Sequence, residues 1–166
     1  MRDLTRYTYF DSPLGDLLLV GDDAGALTGL YLPTGRRPVT PAADWIRDDD
    51  ALPGAREQLR EYFAGARREF GVRLNARGSA FQRRVWDALT EIPYGETTSY
   101  GKIAVSVGVP DGARAVGLAN GQNPISIIVP CHRVIGANGS LTGYGGGLPA
   151  KQWLLSHEAA HSGLFG

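Results

Sequence analysis

The sequence Ile-Ile-Val-Pro-Cys-His-Arg-Val-Ile, residues 127–135, places the only cysteine of the chain beside a histidine. Its three β-branched residues predict a buried strand, and Pro130 marks the strand's end because proline cannot donate a ladder hydrogen bond. Cys131 is then expected at the strand exit. Thiolate is the nucleophilic form of cysteine, and a neighbouring imidazole is a common means of generating it. The pattern indicates nucleophilic chemistry; the alternative is a small buried side chain beside a surface histidine.

The flanking residues carry a family resemblance. Asn123-Pro124 precedes the cysteine, and the glycine-rich segment 141–148, Leu-Thr-Gly-Tyr-Gly-Gly-Gly-Leu, follows it. Together with Pro-Cys-His-Arg-Val, these segments closely resemble the O6-alkylguanine-DNA alkyltransferases over about residues 81–158, and more weakly over the N-terminal part. The resemblance implies that O6-alkylguanine, and also O4-alkylthymine, is flipped out of duplex DNA and its alkyl group moved irreversibly to Cys131. It implies a self-inactivating reaction without a cofactor, and double-stranded DNA bearing O6-alkylguanine as the partner.

Composition limits the class of protein. A chain of 166 residues with 43% hydrophobic residues suits one compact globular domain or two small ones. No apolar run is long enough to span a bilayer, so we expect no membrane association. A single cysteine excludes an intrachain disulfide and a cysteine-based zinc site, which fits a cytoplasmic protein. We also expect a monomer. The net charge of zero argues mildly against DNA, yet a small footprint that uses backbone amides needs no basic excess.

The first half of the chain predicts a small sheet and a helix. Short β-prone runs separated by Gly, Pro and Asp turns predict an antiparallel meander at 7–10, 17–20 and 27–32. A solvated loop is expected over 33–54, an amphipathic helix over 55–64, and a connecting strand over 70–74. We therefore predict an α/β (α+β) fold. Residues 1–72 form an N-terminal antiparallel sheet and helix domain, ribonuclease H-like by resemblance, followed by a linker at 73–78.

The second half predicts a helical domain over 79–166 that holds the cysteine. Ser79 can cap a helix that ends before Pro93, and two short helical patterns at 98–110 and 111–121 are typical of a helix-turn-helix of the winged-helix kind. The second of these helices carries small residues that leave one face nearly bare. Either another helix or the minor groove of DNA would approach that face closely. The small residues are Ala113, Ala115, Gly117 and Ala119.

The resemblance assigns DNA contacts to this helix pair. The second helix would be the recognition helix, with Ala113, Ala115 and Gly117 at the minor groove. Arg114 would intercalate into the base stack, where the alternative is an ordinary surface arginine. Further contacts are assigned to Tyr100, at the phosphate of the rotated nucleotide and beside the flipped base, and to Arg133.

The resemblance also assigns the reacting groups. Glu158 would orient His132, and His132, directly or through a water, would take the proton of Cys131, so that we expect the thiolate fraction to rise. Asn123 would tie the recognition helix to the active site, and Tyr100 would donate to the leaving oxygen. The flipped guanine would meet the carbonyls of Val129 and Cys131 and the amide of Gly145, in a pocket that also contains Ser126 and Tyr144.

Residues 157–161, His-Glu-Ala-Ala-His, match the helix motif of zinc proteases. The motif lies at a terminus and no further ligand is identifiable, so we expect no metal site. Two other functions stay open from the residues alone. A Cys-His-Glu hydrolase would turn over through a thioester, although an oxyanion-hole signature is lacking. A non-catalytic binder of alkylated DNA is disfavoured because Cys131 is present.

Overall fold

The structure, a computed structural model, describes residues 4–35, 38–142 and 144–162. It is a mixed α/β fold with a four-stranded sheet and one helix in the first half and mostly helices in the second, which confirms the predicted fold class. The elements are β1 Arg6–Ser12, β2 Gly15–Gly21, β3 Leu27–Tyr31, β4 Ile46–Arg47, α1 Pro53–Phe63, α2 Ala80–Thr90, β5 Thr98–Ser99, α3 Tyr100–Ser106, α4 Ala113–Gly121, β6 Val134–Ile135 and α5 Leu148–His161, with a 3-10 turn at Cys131–Arg133.

The N-terminal sheet has the strand order β3-β2-β1-β4. β1, β2 and β3 are antiparallel neighbours, as the predicted meander requires, and a tight hairpin at Gly15, whose φ is +98°, joins the first two. β4 pairs in parallel with β1 and lies inside the segment expected to be a loop. The buried side of the sheet, including Leu17 and Leu19, packs with Leu59 and Tyr62 of α1 in one core.

The edge of β3 is covered by two later segments of the chain. Leu27 pairs with Leu74 through hydrogen bonds to the backbone on either side of it, and this single bridge replaces the connecting strand expected over 70–74. Leu30 pairs in the same way with Ile125, six residues before the cysteine. The sheet therefore fixes the chain directly ahead of Cys131.

The helical half is built as the capping and periodicity signals predict. Ser79 and Gln82 form a reciprocal capping box at the start of α2, and Ser99 caps α3 by accepting from the Lys102 amide. α3 and α4 form the helix-turn-helix, and β5 and β6 make a two-stranded parallel wing beside it. Trp86 of α2 donates its indole hydrogen bond to the Ala119 carbonyl, which fixes α4 on the core.

The predicted strand over residues 127–129 is wrong. The chain turns there, and Ile127 adopts a left-handed φ of 72°, a rare conformation for a β-branched residue. The side-chain amide of Asn123 explains the turn. Its Nδ2 donates to the carbonyls of Ile125 (3.3 Å) and Val129 (2.9 Å), and its Oδ1 accepts from the backbone N–H of Ile125 (3.0 Å). Because these backbone groups find side-chain partners, they need no neighbouring strand. Cys131 consequently begins a 3-10 turn.

Candidate active site

Cys131 is buried, with 3% of its surface exposed. Burial raises the pKa of its thiol to about 11, although the nearby Asn123 side chain and the positive charge of Lys151 act in the opposite direction. The resting residue is therefore a thiol at neutral pH. The expectation that neighbouring groups raise the resting thiolate fraction is wrong, because desolvation outweighs them. Reaction at Cys131 requires a base that removes the proton as the new bond forms.

His132 lies next to Cys131 in the 3-10 turn and is fully buried. Its Nε2 is 2.6 Å from Oε2 of Glu158, and its Nδ1 has no hydrogen-bond partner in the part of the chain that the structure describes. Burial lowers the pKa of His132, and the charges of Arg133 and Lys151 lower it further, against the raising effect of Glu158. The imidazole is therefore neutral at pH 7.

Glu158 is a carboxylate inside the protein. Burial by itself raises the pKa of this group, but hydrogen bonds from His132 and Arg133 outweigh burial and hold the pKa well below its usual range. Arg133 donates from Nε to Oε1 (2.7 Å) and from a terminal nitrogen to Oε2 (3.0 Å). An ionised carboxylate can only accept, so Nε2 of His132 carries the proton and donates it. Nδ1 is then left as a free acceptor, the state that a general base requires.

The structure contradicts the DNA contact that the family resemblance assigned to Arg133. It was expected to contact DNA, but only 6% of its surface is exposed, and its remaining guanidinium nitrogen donates to the Ile92 carbonyl at 2.7 Å. Every direction of the guanidinium fork is engaged inside the protein, in the bidentate geometry that arginine forms with carboxylates. Arg133 therefore neutralises Glu158, and its burial keeps it away from a phosphate.

Lys151 is a residue that sequence reasoning missed. It is fully buried on α5, and its ammonium donates to the carbonyls of Val134 (2.6 Å) and Thr142 (2.7 Å). Burial lowers its pKa to about 8, which leaves it mostly charged at neutral pH. The signal was available: Lys151, Leu154 and Glu158 recur at i, i+3 and i+7 on one helix face, and that face is the buried one.

A small cavity of about 220 Å³ contains Ser126 and Gly145 of the predicted base pocket, but Cys131, Val129 and Tyr144 do not line it. Asn123, Ser126 and Gly145 line it from the second half of the chain, and Tyr31 and Leu32 line it from the end of β3. N-terminal residues thus form part of this wall, which the sequence did not indicate. A larger depression of about 960 Å³ lies between α2 and α3 and contains no predicted site residue.

Val129 and Tyr144 were both expected in the base pocket, and the structure describes the polar groups of each. The Val129 carbonyl already accepts from Asn123 Nδ2 and from the Cys131 amide (2.8 Å), so both its lone pairs are engaged and the prediction that it reads guanine is wrong. Tyr144 is buried, and its hydroxyl has no hydrogen-bond partner among the described residues. Burial raises the pKa of Tyr144 well above its usual value, which keeps the hydroxyl protonated and able to donate.

The small residues of α4 do not share one face. Residues 113, 115, 117 and 119 alternate, and a helix with 3.6 residues per turn distributes alternating positions around its axis. Ala119 is buried, and Gly117 faces the ring of Tyr100, where an added Cβ would lie 3.7 Å from a ring carbon. Another helix is thus the close neighbour at these two positions. The solvent face of α4 is formed by Arg114, Ala115 and Leu118.

Leu118 stands out on this face because 65% of its surface is exposed. It lies one helical turn after Arg114, so the two side chains are neighbours. Tyr100 begins α3 beside α4 and donates from its hydroxyl to the Thr142 carbonyl at 2.9 Å. The helix pair therefore places an exposed arginine, an exposed apolar side chain and a phenol on one side of the molecule.

The zinc-protease motif has other uses in this structure. Glu158 accepts hydrogen bonds from His132 and Arg133, and Nε2 of His157 donates to the carbonyl of Tyr62 at 2.8 Å. His161 bonds through Nδ1 to the His157 carbonyl, also within the protein. No three His, Cys, Asp or Glu side chains within the described ranges are arranged to hold a metal ion.

Comparison with known proteins identifies the family. The sequence model of the 6-O-methylguanine DNA methyltransferase ribonuclease-like domain matches residues 5–76, and that of its DNA binding domain matches residues 80–160. A methylated-DNA--protein-cysteine methyltransferase from Mycolicibacterium paratuberculosis is 55% identical over 159 residues, which are 96% of this chain and 95% of that protein. This chain belongs to the 6-O-methylguanine DNA methyltransferase family. The family resemblance of the Pro-Cys-His-Arg-Val segment is thereby confirmed.

Further relatives of this methyltransferase family extend the match. A protein of the same name from Methanosarcina acetivorans is 49% identical and covers 93% of this chain and 98% of its own length. The crystal structure of Mycobacterium tuberculosis OGT in complex with DNA superposes with a TM-score of 0.88 at 54% identity over 94% of each chain. Both halves of the fold, the sheet unit and the helical unit, are thus those of the family.

The Glu158–Arg133 pair predicts how stability depends on pH. The pKa of Glu158 is depressed in the folded protein, so its contribution is fully present above the unfolded value of about 4.3 and is lost as the pH falls below it. Glu158→Gln leaves the Arg133 charge buried without a partner and should cost about 3 kcal/mol at pH 7. The same substitution should also remove the part of the acid-induced loss of stability that comes from Glu158. Urea denaturation between neutral and acidic pH measures both effects.

The matched control is Glu57→Gln, at an exposed carboxylate on α1 that pairs with Arg60. Exposed ion pairs contribute little, so this variant should follow the wild type at every pH. If Glu158→Gln were as stable as Glu57→Gln at neutral pH, the buried ion pair would not have the role given to it here.

Proposed function

We propose that this chain repairs O6-alkylguanine, and also O4-alkylthymine, in duplex DNA by moving the alkyl group to its own Cys131. The observation that carries the proposal is a buried thiol followed, in the same 3-10 turn, by a buried neutral imidazole. His132 holds its proton on Nε2 against Glu158 and leaves Nδ1 free. This arrangement can take one proton from the thiol, which is the proton transfer that the reaction needs. Membership in the methyltransferase family supports the same conclusion.

The reaction balances without a cofactor. The sulfur of Cys131 forms a bond to the alkyl carbon while the bond from that carbon to O6 of guanine breaks, and the bonding pair leaves on the oxygen. The thiol proton passes to Nδ1 of His132, directly or through a water, and a proton returns to the guanine. The Tyr100 hydroxyl delivers that proton, for which it must exchange the Thr142 carbonyl for the base; the phenolate then regains a proton from solvent, to which the imidazolium of His132 loses one.

The product explains why the protein would be consumed. S-alkylcysteine is a thioether, with no carbonyl for water to attack and no good leaving group. A second cysteine that could accept the alkyl group is absent from the sequence. The reaction therefore ends after one transfer, in contrast to a cysteine hydrolase, whose thioester is hydrolysed and regenerates the thiol.

DNA binding is proposed for the face formed by α3 and α4. Base extrusion leaves a gap in the stack, and an exposed side chain on the inserted helix must fill it. Arg114 is the candidate for that role, with Ala113 and Ala115 allowing close approach to the minor groove. Leu118 adds an apolar side chain one turn away, and minor-groove proteins commonly use such residues against base steps and sugars.

We also propose that the chain divides into a domain of residues 1–72, a linker at 73–78 and a domain of residues 79–166, and that the protein is monomeric and cytoplasmic. None of the helices within the described ranges has the length and apolar character needed to cross a membrane.

The central test of the proposal is the stoichiometry of transfer. Duplex DNA carrying radiolabelled O6-methylguanine should give a burst of one methyl group per protein molecule, with no steady state after it. The intact mass should rise by one methyl group, located on the peptide that contains Cys131. Cys131→Ser should bind the same DNA but transfer nothing, because a hydroxyl is a much poorer nucleophile. Sustained turnover without a gain in mass would instead establish a hydrolase, and binding without transfer by the wild type would establish a non-catalytic binder.

A second test concerns the DNA face. Arg114→Ala should slow transfer from duplex DNA far more than transfer from the free base O6-benzylguanine, because a free base needs no extrusion. Leu118→Ala should weaken duplex binding in the same selective way. Arg60→Ala, at an exposed arginine of α1, is the matched control and should change neither rate. Equal slowing of Arg114→Ala on both substrates would indicate damage to the fold and refute the intercalating role.

A further inference from the structure

Tyr62 connects the N-terminal half of the chain to the reacting groups. It lies near the end of α1 and is fully buried, and its hydroxyl donates to Oε2 of Glu158 at 2.6 Å. The same oxygen accepts from Nε2 of His132, also at 2.6 Å. Tyr62, which lies 96 positions before Glu158, therefore shares an acceptor atom with the proposed general base His132.

The direction of this hydrogen bond follows from the state of the carboxylate. Glu158 is ionised and can only accept, so Tyr62 must donate. Burial raises the pKa of Tyr62 well above its usual value, and the nearby charge of Glu158 raises it further, so the phenol keeps its proton. Tyr62 and Arg133 then hold Oε2 from two directions. The Glu158 carboxylate is therefore held in one orientation toward His132.

The phenol is itself fixed by the surrounding structure. Its ring contacts the rings of Phe63, Phe70, Tyr94 and His157, with centroid distances between 5.2 and 6.2 Å. The Tyr62 carbonyl accepts from Nε2 of His157, one residue before Glu158 on α5. Both the main chain and the side chain of Tyr62 are thus bonded to the same turn of α5. Such restraint is typical of a group that holds another side chain in position.

We propose that Tyr62 is a positioning residue for alkyl transfer. Its hydroxyl holds the Glu158 carboxylate in the orientation that keeps the proton of His132 on Nε2 and leaves Nδ1 free for the thiol proton. The N-terminal unit thereby takes part in the reaction of the C-terminal unit. This inference rests on the proposed function, because it assumes that Cys131 accepts the alkyl group with the help of His132.

Removal of the Tyr62 hydroxyl should shift the pKa of His132 in a definite direction. In Tyr62→Phe, Oε2 loses one donor, and its negative charge becomes more available to His132. A stronger acceptor at Nε2 stabilises the protonated imidazole, so the pKa of His132 rises. Transfer needs the neutral imidazole, so the acid limb of the pH–rate profile should move to higher pH. The less restrained carboxylate should also slow transfer near neutrality.

The experiment compares Tyr62→Phe with Tyr94→Phe. Tyr94 belongs to the same aromatic cluster, and its buried hydroxyl has no hydrogen-bond partner among the described residues, so it is a matched loss of one oxygen. Single-turnover methyl transfer from O6-methylguanine duplex DNA is measured from about pH 5 to about pH 8, where histidine changes charge. We expect Tyr62→Phe to be about tenfold slower at pH 7, the loss of one hydrogen bond to a charged group. Its acid limb should lie at higher pH, and Tyr94→Phe should match the wild type.

A double-mutant cycle separates positioning from folding. If Tyr62 acts through His132, then Tyr62→Phe should produce no further slowing in a His132→Gln background. Equal slowing in both backgrounds would overturn the inference, as would a Tyr62→Phe profile identical to that of Tyr94→Phe. These outcomes leave the proposed function intact because the wild type still transfers. A wild type that transfers no methyl group would instead overturn the proposed function, and the inference with it.

Discussion

The carboxylate of Glu158 is the interaction on which the site depends. It is buried and ionised, and it accepts hydrogen bonds from Arg133, His132 and Tyr62. An unpaired charge in a protein interior costs several kcal/mol, so the bidentate Arg133 contact is the condition for Glu158 to stay ionised there. Because the charge of Arg133 balances that of Glu158, the ion pair can orient His132 without raising its pKa as far as an isolated carboxylate would. The imidazole consequently stays neutral and ready to accept a proton.

The burial of Cys131 fits this arrangement. A thiol whose pKa is raised to about 11 is a poor target for solvent electrophiles, because the thiolate is the reactive form. A single-use residue benefits from such protection until a substrate occupies the pocket. Asn123 and Lys151 lower the pKa against the effect of burial, and both are held by backbone carbonyls around the turn that carries the cysteine. The same contacts thus shape the turn and moderate the cost of forming the thiolate.

Local patterns predicted the regular elements well. The meander followed from alternating β-prone runs and turn residues, and α2 followed from the Ser79 cap and a 3.6-residue stripe. The strand over residues 127–129 could not be excluded in this way, because the side chain of Asn123 overrides β-propensity by satisfying the backbone of the turn. Propensity describes a residue's own backbone preference and contains no information about a distant or unusual partner.

Site residues were predictable where the chemistry was local. Cys131 and His132 are adjacent in sequence, whereas the family resemblance was needed to add Glu158. Arg133 was assigned to DNA by the family resemblance alone, and only the fold shows that it contacts Glu158. Tyr62 carried no signal of its own, since a buried aromatic residue on an amphipathic helix is indistinguishable from ordinary core. Contacts between the two halves of the chain were therefore the part that sequence reasoning missed.

The protonation state of His132 tests this account most directly. Nitrogen-15 NMR of protein labelled at its three histidines reports which imidazole nitrogen carries a proton, and His132→Gln assigns the resonance. We predict a neutral ring with the proton on Nε2 alone, retained as the pH falls below about 6.5, the usual histidine value. A proton on Nδ1 at neutral pH, or an imidazolium, would contradict the role given to Glu158 and leave Cys131 without its base.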